Sequence, residues 1–274
     1  MRDSLGSKPG ISPKGRSLRS RWVLGLLAAP LIVFLLLPEA GLIARLDSGA
    51  LTRALADDTL HKAVLLSLGT TFATLTAAIV AGTPLSYALA HNKSGVWRWI
   101  DLLVDLPTVL PPAVAGLGLL FAFGRRGFLG GALSSWGIEI AFTPIAVVMA
   151  QSFVAIPYFL RTAAIGLAAV DPELELAASL DGASGRQVFW HISLPLSWKA
   201  FAGGAALCWA RAMGEFGATI VFAGNFPGRT QTMPLAVYLG LERDLDVATA
   251  LGVLLLVLSF VILFLLRSVL RERA

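Results

Sequence analysis

Charge is scarce in this sequence, and the residues that usually build catalytic sites are scarcer still. Only 14% of the 274 residues are charged, against about 25% in soluble domains. The three histidines, His61, His91 and His191, fall in different polar segments, so they suggest no metal or catalytic set. The single cysteine, Cys208, excludes a disulfide framework and a cysteine metal site. We therefore predict no catalytic residues, no metal and no cofactor in this chain.

A phosphate-binding loop is also absent. No segment has the form G-x-x-x-x-G-K-[ST], and none of the lysines stands in a comparable glycine-rich context. If ATP drives a process in which this chain takes part, another subunit must hydrolyse it. We expect ATP and Mg²⁺ to be bound by that partner.

Apolar residues dominate what is present, at 56% of the chain with a mean hydropathy of +0.76. A helix rises about 1.5 Å per residue, so about 20 apolar residues cross a bilayer. Six apolar segments approach or reach that length: 22–37 (with a continuation to 44 left open), 63–90, 106–123, 142–160, 200–222 and 247–266. We predict an all-α, polytopic protein of the cell membrane with about six transmembrane helices.

The basic residues indicate how the chain is oriented. The predicted organisation is a basic tail over 1–21, a transmembrane domain over 22–268 and a short tail over 269–274. Lysine and arginine favour the side of the N-terminal tail by about two to one, which places both termini in the cytoplasm. The net charge of +5 is explained by this topology, so we expect no nucleic-acid partner.

The third apolar segment contains a proline-rich run, LPTVLPP at 106–112, which cannot form a smooth helix. Inside a bundle, neighbouring helices and water can satisfy the carbonyl groups that prolines leave free. A bent helix that lines a path and a kink that serves packing are both consistent with this run.

The longest polar stretch on the predicted cytoplasmic side is the 170–198 loop. Asp171 is a good N-cap and Pro172 a good first helical residue. Glu173 and Glu175 follow in or near the first turn, where the helix dipole favours negative charge. Gly182 then ends the helix or allows a close backbone approach.

A second amphipathic piece of the 170–198 loop runs through Val188 and Ile192, and we expect Leu194 and Pro195 to stop it. The pattern therefore predicts two short helices at the membrane surface. An ordinary helical hairpin is consistent with the same pattern.

The spacing of residues in this loop resembles the EAA loop of ABC importer permeases, which has an acidic residue, alanines, a glycine and then I-x-L-P. The matching residues are Glu175, Ala177, Ala178, Gly182, Ile192, Leu194 and Pro195. The sequence departs from the pattern at Leu176 and Asp181. The resemblance implies the type I ABC importer permease fold, and it implies that this loop forms a coupling helix docked on a cytoplasmic ATPase.

Two further stretches, 106–130 and 211–238, resemble the molybdate permease branch of that family. Sulfate permeases share a related G-E-[FY]-G element but diverge after it, and tungstate permeases are close relatives. The resemblance implies a molybdate permease subunit, with a sulfate, thiosulfate or tungstate permease as the alternative. An ion-coupled secondary transporter is less favoured because it gives the 170–198 loop no role.

The expected partners follow from the same resemblance and from the cost of moving a dianion through hydrocarbon, which is tens of kcal/mol when the charge is unpaired. We expect a homodimer with the path on its two-fold axis, a cytoplasmic ABC ATPase dimer, an extracytoplasmic oxyanion-binding protein and the lipid bilayer.

Two opposite charges, Arg211 and Glu215, lie four residues apart in the fifth apolar segment. An isolated arginine there is costly, so we expect an ion pair. The pair can fix helix packing, or Arg211 can contribute to the anion path. In the outer loops, Arg125, Arg126 and Arg229 can attract an anion or dock a binding protein, or they can be solvated loop charges.

Overall fold

The computed structural model describes residues 18–92 and 94–272, and the regular structure in these ranges is helical. Most of the predicted N-terminal tail and the last two residues lie outside them. The chain divides into two compact units, Met1–Arg45 and Leu46–Ala274. The described part of the first unit is one helix, α1 (Leu18–Ala44), which continues through Pro30 and Pro38.

The second unit contains the remaining helices, which follow one another with short connections. They are α2 (Ser48–Ala56), α3 (Asp58–His91), α4 (Gly95–Val109), α5 (Pro112–Phe123), α6 (Gly130–Ser135), α7 (Pro144–Ala168), α8 (Pro172–Leu180), α9 (Gly185–Val188), the π-helix Phe189–Ser193, α10 (Leu194–Met213), α11 (Gly217–Phe222), α12 (Met233–Arg243) and α13 (Leu245–Glu272).

Four helices among the described residues contain a stretch long and apolar enough to cross a membrane: Gly25–Ala44, Asp58–His91, Pro144–Ala168 and Leu245–Leu265. The pair α4 and α5 adds a fifth candidate, bent by 115° at its break. The predicted all-α, multi-pass architecture is therefore confirmed. The count of six spans stays a prediction, because the fifth apolar segment is interrupted between α10 and α11.

Helix α7 lies at the centre of the second unit and packs against both α3 and α10. Phe159 of α7 is 1% exposed, and a Cβ added at Gly82 of α3 would meet its ring at 3.0 Å. A Cβ at Gly204 of α10 would meet the Phe159 carbonyl oxygen at 3.1 Å. In a membrane, helices associate through such close contacts of small residues, because lipid provides no hydrophobic driving force between them.

A buried glutamine joins the same three helices by hydrogen bonds. Gln151 of α7 is 1% exposed, and its amide donates to Thr71 of α3 at 3.4 Å and to the Ala212 carbonyl of α10 at 3.1 Å. Its carbonyl accepts from the Thr74 hydroxyl at 3.3 Å. These bonds satisfy the polar groups that the bundle buries and hold the three helices in register.

The glycines of α5 provide a test of helix packing in this unit. A Cβ at Gly116 would lie 2.6 Å from the Ala218 carbonyl oxygen of α11, whereas one at Gly118 would meet nothing within 4 Å. We expect Gly116→Ala to lower the melting temperature of the purified protein in detergent, since forced overpacking costs about 1–3 kcal/mol. Gly118→Ala should maintain or raise it, because alanine favours helix over glycine by about 1 kcal/mol. Equal effects of the two variants would contradict this packing.

Candidate functional site

The 170–198 loop begins with α8, and its start follows the expected capping chemistry. The Asp171 carboxylate accepts a hydrogen bond from the Glu173 amide at 3.0 Å. Pro172 is the first helical residue, where its missing N–H costs nothing. Helix α8 therefore begins where the sequence predicts.

Helix α8 ends at a glycine in the left-handed conformation. Gly182 has φ of +91°; its amide donates to the Ser179 carbonyl at 3.1 Å, and the Ala183 amide donates to the Ala178 carbonyl at 3.0 Å. This is the Schellman pattern of helix termination. A Cβ at Gly182 would meet nothing within 4 Å, so the glycine is needed for its backbone conformation and not for a close approach within the chain.

The second part of the loop differs from the prediction that Leu194 and Pro195 stop the helix. Ser184 and Gln187 form a capping box that starts α9. The chain then stays helical through the π-helix and into α10, so that prediction is wrong. The Leu194 amide bonds to the Phe189 carbonyl five residues back. This widened turn lies directly before Pro195 and accommodates the residue that lacks an N–H.

The Glu175 cluster (Glu175, His91 and Ser193) joins the loop to two long helices. The Ser193 hydroxyl donates to Glu175 Oε1 at 2.6 Å. His91 Nε2 lies 3.1 Å from Glu175 Oε2, with side chains 31% and 17% exposed. His91 is the last residue of α3, and Ser193 is the last residue before α10. The carboxylate of Glu175 therefore contacts the ends of both helices.

His91 is held in place from its other side. Its Nδ1 lies 2.9 Å from the Tyr87 carbonyl oxygen, and its ring stacks on the Tyr87 ring at 4.1 Å. Both ring nitrogens thus lie within hydrogen-bond distance of oxygen atoms, which fixes the orientation of the ring. Tyr87 also makes an edge-to-face contact with Phe189 at 5.4 Å.

Sequence reasoning missed both partners of Glu175. His91 is 84 residues away along the chain and belongs to no motif, so no sequence signal pointed to it. Ser193 occupies the variable position of the I-x-L-P element, between Ile192 and Leu194. A polar residue at that otherwise apolar place was the one available signal.

Helix α8 exposes several apolar side chains to the outside of the chain. Leu174, Leu176 and Leu180 are 48%, 61% and 79% exposed, and Ala177 is also exposed. Glu175 is partly buried, since it contacts the rest of the chain. A short helix that exposes three leucines offers apolar side chains to a partner.

The remaining loop residues that the resemblance singles out lie at two places. Ala178 is half-buried on α8, while Ile192 and Leu194 are half-buried and Pro195 is exposed around the start of α10. The structure brings Glu175 close to the I-x-L-P element through Ser193. The roles of these residues toward a partner stay predictions.

The pair Arg211 and Glu215 lies at the break between α10 and α11. Arg211 Nη1 is 2.7 Å from Glu215 Oε2, with the Glu215 side chain 1% exposed. Glu215 Oε1 accepts from the Ala218 amide at 2.7 Å. The carboxylate therefore pairs with Arg211 and also caps the start of α11. Arg211 stays 27% exposed and has further N–H donors, so both of its predicted roles stay open.

A third charged cluster, not singled out by sequence reasoning, joins α7 to α4. Arg161 donates to Asp101 Oδ1 and to Asp105 Oδ1, each at 2.5 Å, and also to the second Asp105 oxygen. The two aspartates are four residues apart on α4, which puts them on one face. That spacing was the available sequence signal. The cluster fixes α4 against the C-terminal half of α7.

The arginines of the outer loops, Arg125, Arg126 and Arg229, differ in whether they form an ion pair in the described structure. Arg125 Nη2 forms an ion pair with Glu139 at 2.7 Å, and both side chains are exposed. Arg126 and Arg229 are exposed. Arg125 therefore has its charge partly neutralised, and the predicted roles in anion attraction or docking fall more to the other two.

Comparison with known proteins gives the family of this chain. Residues 75–273 match the family model "Binding-protein-dependent transport system inner membrane component". The chain is 38% identical to the molybdenum transport system permease protein ModB of Mycobacterium tuberculosis, over 87% of this chain and 90% of that protein. It is 33% identical to a probable sulfate transport system permease protein, cysT, of Chlorokybus atmophyticus, over 90% of this chain and 88% of that protein.

A solved structure supports the fold independently. A bacterial ABC transporter that imports the polysaccharide alginate contains a chain that superposes with a TM-score of 0.75, covering 93% of this chain and 97% of that one at 17% identity. At that identity the likeness shows the fold alone, and it confirms the predicted permease architecture. From the family match and from relatives that cover most of its length, the chain is a multi-pass membrane transport component that belongs to the binding-protein-dependent transport system inner membrane component family.

Proposed function

We propose that this chain is the permease subunit of an ABC importer for molybdate, and that a separate subunit hydrolyses ATP. The observation that carries the proposal is the Glu175 cluster, which ties a loop with an exposed apolar helix to the ends of α3 and α10. A loop built in this way can receive a movement from a partner and pass it to the bundle.

The mechanism of coupling follows from these contacts. The exposed leucines of α8 are the surface that docks on the ATPase. A displacement of α8 acts through Glu175 on His91 at the end of α3 and on Ser193 at the start of α10. Because α3 and α10 both pack on α7, the three helices move as one body.

The partners and the orientation belong to the same proposal. Two copies of the chain form the path on a two-fold axis, and each 170–198 loop faces the cytoplasm, where a dimer of the ATPase binds ATP and Mg²⁺. An extracytoplasmic binding protein delivers the oxyanion to the other side. Both termini then lie in the cytoplasm, as the bias of basic residues favours.

Molybdate is the proposed substrate because the relatives named ModB are molybdenum transport permeases that align with most of this chain. Sulfate is the second candidate, favoured by the 33% identity to the probable sulfate permease. Tungstate has the same charge and shape as molybdate and is a third substrate of the same class.

Reconstitution tests this function. We expect the chain, co-purified with its ATPase and binding protein, to take up labelled molybdate into proteoliposomes only when ATP is supplied. Excess unlabelled molybdate or tungstate should block uptake, and sulfate should not. A stronger block by sulfate than by unlabelled molybdate would move the substrate to the second candidate, and uptake without any ATPase would contradict the mechanism.

The Glu175 cluster predicts a defect in coupling. Glu175→Gln preserves the shape of the side chain but weakens its charge-assisted bonds, each worth about 1.5–3 kcal/mol. We expect uptake per ATP hydrolysed to fall about tenfold or more. Glu173→Gln is the matched control, because Glu173 is exposed on the same helix turn. A wild-type ratio in the Glu175 variant would contradict the proposed transmission.

A second pair of variants separates the two roles of Arg211. Arg211→Ala leaves Glu215 buried without its partner, a loss of about 3–5 kcal/mol in comparable pairs, so uptake should fall. If the pair serves packing alone, Arg211→Ala combined with Glu215→Gln should restore much of the uptake. If Arg211 contributes to the anion path, the double variant should stay defective while it still inserts and dimerises. Normal uptake by Arg211→Ala would exclude both roles.

A further inference from the structure

A groove of about 520 Å³ lies between α3 and the second part of the 170–198 loop. One wall comes from α3 with Ile79, Val80 and Pro84, and the other comes from the loop with Arg186, Phe189 and Trp190. Its lining is almost entirely apolar, and Arg186 is the one charged residue among the described residues that line it. The groove is therefore apolar, with the cationic side chain of Arg186 on one wall.

The apolar wall faces the surroundings of the protein. Val80 is 70% exposed and Trp190 is 56% exposed, and α3 is a candidate membrane span. From Ile79 to Tyr87 the groove follows α3 for about 12 Å, at about 1.5 Å per residue. Tryptophan favours the boundary between acyl chains and headgroups. The groove thus runs from the boundary into the hydrocarbon layer, as a lipid acyl chain does.

The charge in the groove selects among lipids. In the part of the chain that the structure describes, Arg186 forms no ion pair, and its side chain is exposed. A guanidinium binds a phosphate through paired N–H donors. Basic pockets beside transmembrane helices on the cytoplasmic side are known to bind anionic headgroups. Charge complementarity therefore favours an anionic phospholipid over a zwitterionic one.

We propose that this groove binds an anionic phospholipid, with an acyl chain along α3 and the phosphate on Arg186. The position of the site in the cytoplasmic leaflet rests on the proposed function; the groove itself does not. The bound lipid would lie against Tyr87 and Phe189, which contact each other behind His91. It would thereby support the Glu175 cluster from the membrane side.

Fluorescence quenching in nanodiscs tests the site, with the full-length chain reconstituted in phosphatidylcholine. A small fraction of brominated phosphatidylglycerol or of brominated phosphatidylcholine is added, and the contribution of Trp190 is obtained by difference from Trp190→Phe. We expect brominated phosphatidylglycerol to quench Trp190 at about a fivefold lower lipid fraction, the preference that one basic residue contributes at a membrane surface.

Variants of the cation identify its contribution. Arg186→Gln should abolish the preference, Arg186→Lys should retain part of it, and Lys199→Gln, which removes an exposed charge from α10, should leave it unchanged. Equal quenching by both lipids in the wild type, or an undiminished preference in Arg186→Gln, would overturn the proposal. Absence of quenching by either lipid would also overturn it, because protein would then cover the groove. Failed uptake with intact lipid preference would count against the proposed function alone.

Discussion

One carboxylate joins the 170–198 loop to the two helices that pack on α7. Glu175 is on a short, partly exposed helix, and it contacts the last residue of α3 and the residue before α10. Without that contact, α8 would be attached to the bundle mainly through its chain connections. Glu175 reaches both helices because of three local features. These are the capping of α8 at Asp171, its end at Gly182 and the π-helix before Pro195.

The core of the bundle is closely packed, as the proposed transmission of movement requires. Small residues bring α3 and α10 against α7, and Gln151 crosslinks all three by hydrogen bonds. Apolar burial contributes little between helices in lipid, so close packing and internal hydrogen bonds hold the bundle together. The charged groups of the bundle, Arg211 with Glu215 and Arg161 with two aspartates, are paired, which reduces the cost of burying them.

Local chemistry made parts of this structure predictable. Three features depend on residues that are near each other in the chain. These are the start of α8 at Asp171 and Pro172, its end at Gly182, and the bend in the proline-rich run. The His91 contact could not be predicted, because it joins residues 84 apart and depends on how α3 packs. The continuation of the helix through Pro195 was also missed. A π-helical turn accommodates the proline, which has no N–H to donate, and no residue type in the sequence indicates such a turn. The pairing of Arg211 with Glu215 followed from the cost of isolated charge, although a helix break separates them.

The proposed coupling requires that α8 and α3 move as one body when the ATPase closes. Spin labels at Ser179 on α8 and Thr76 on α3, both exposed positions, measure the distance between these helices by double electron–electron resonance. Labelled chains would be diluted with unlabelled ones, so that the distance within one chain is observed. Coupled movement of the two helices predicts the same distance distribution with and without ATP in the assembled transporter. A shift of several ångströms on addition of ATP would show that α8 moves independently of α3 and would contradict it.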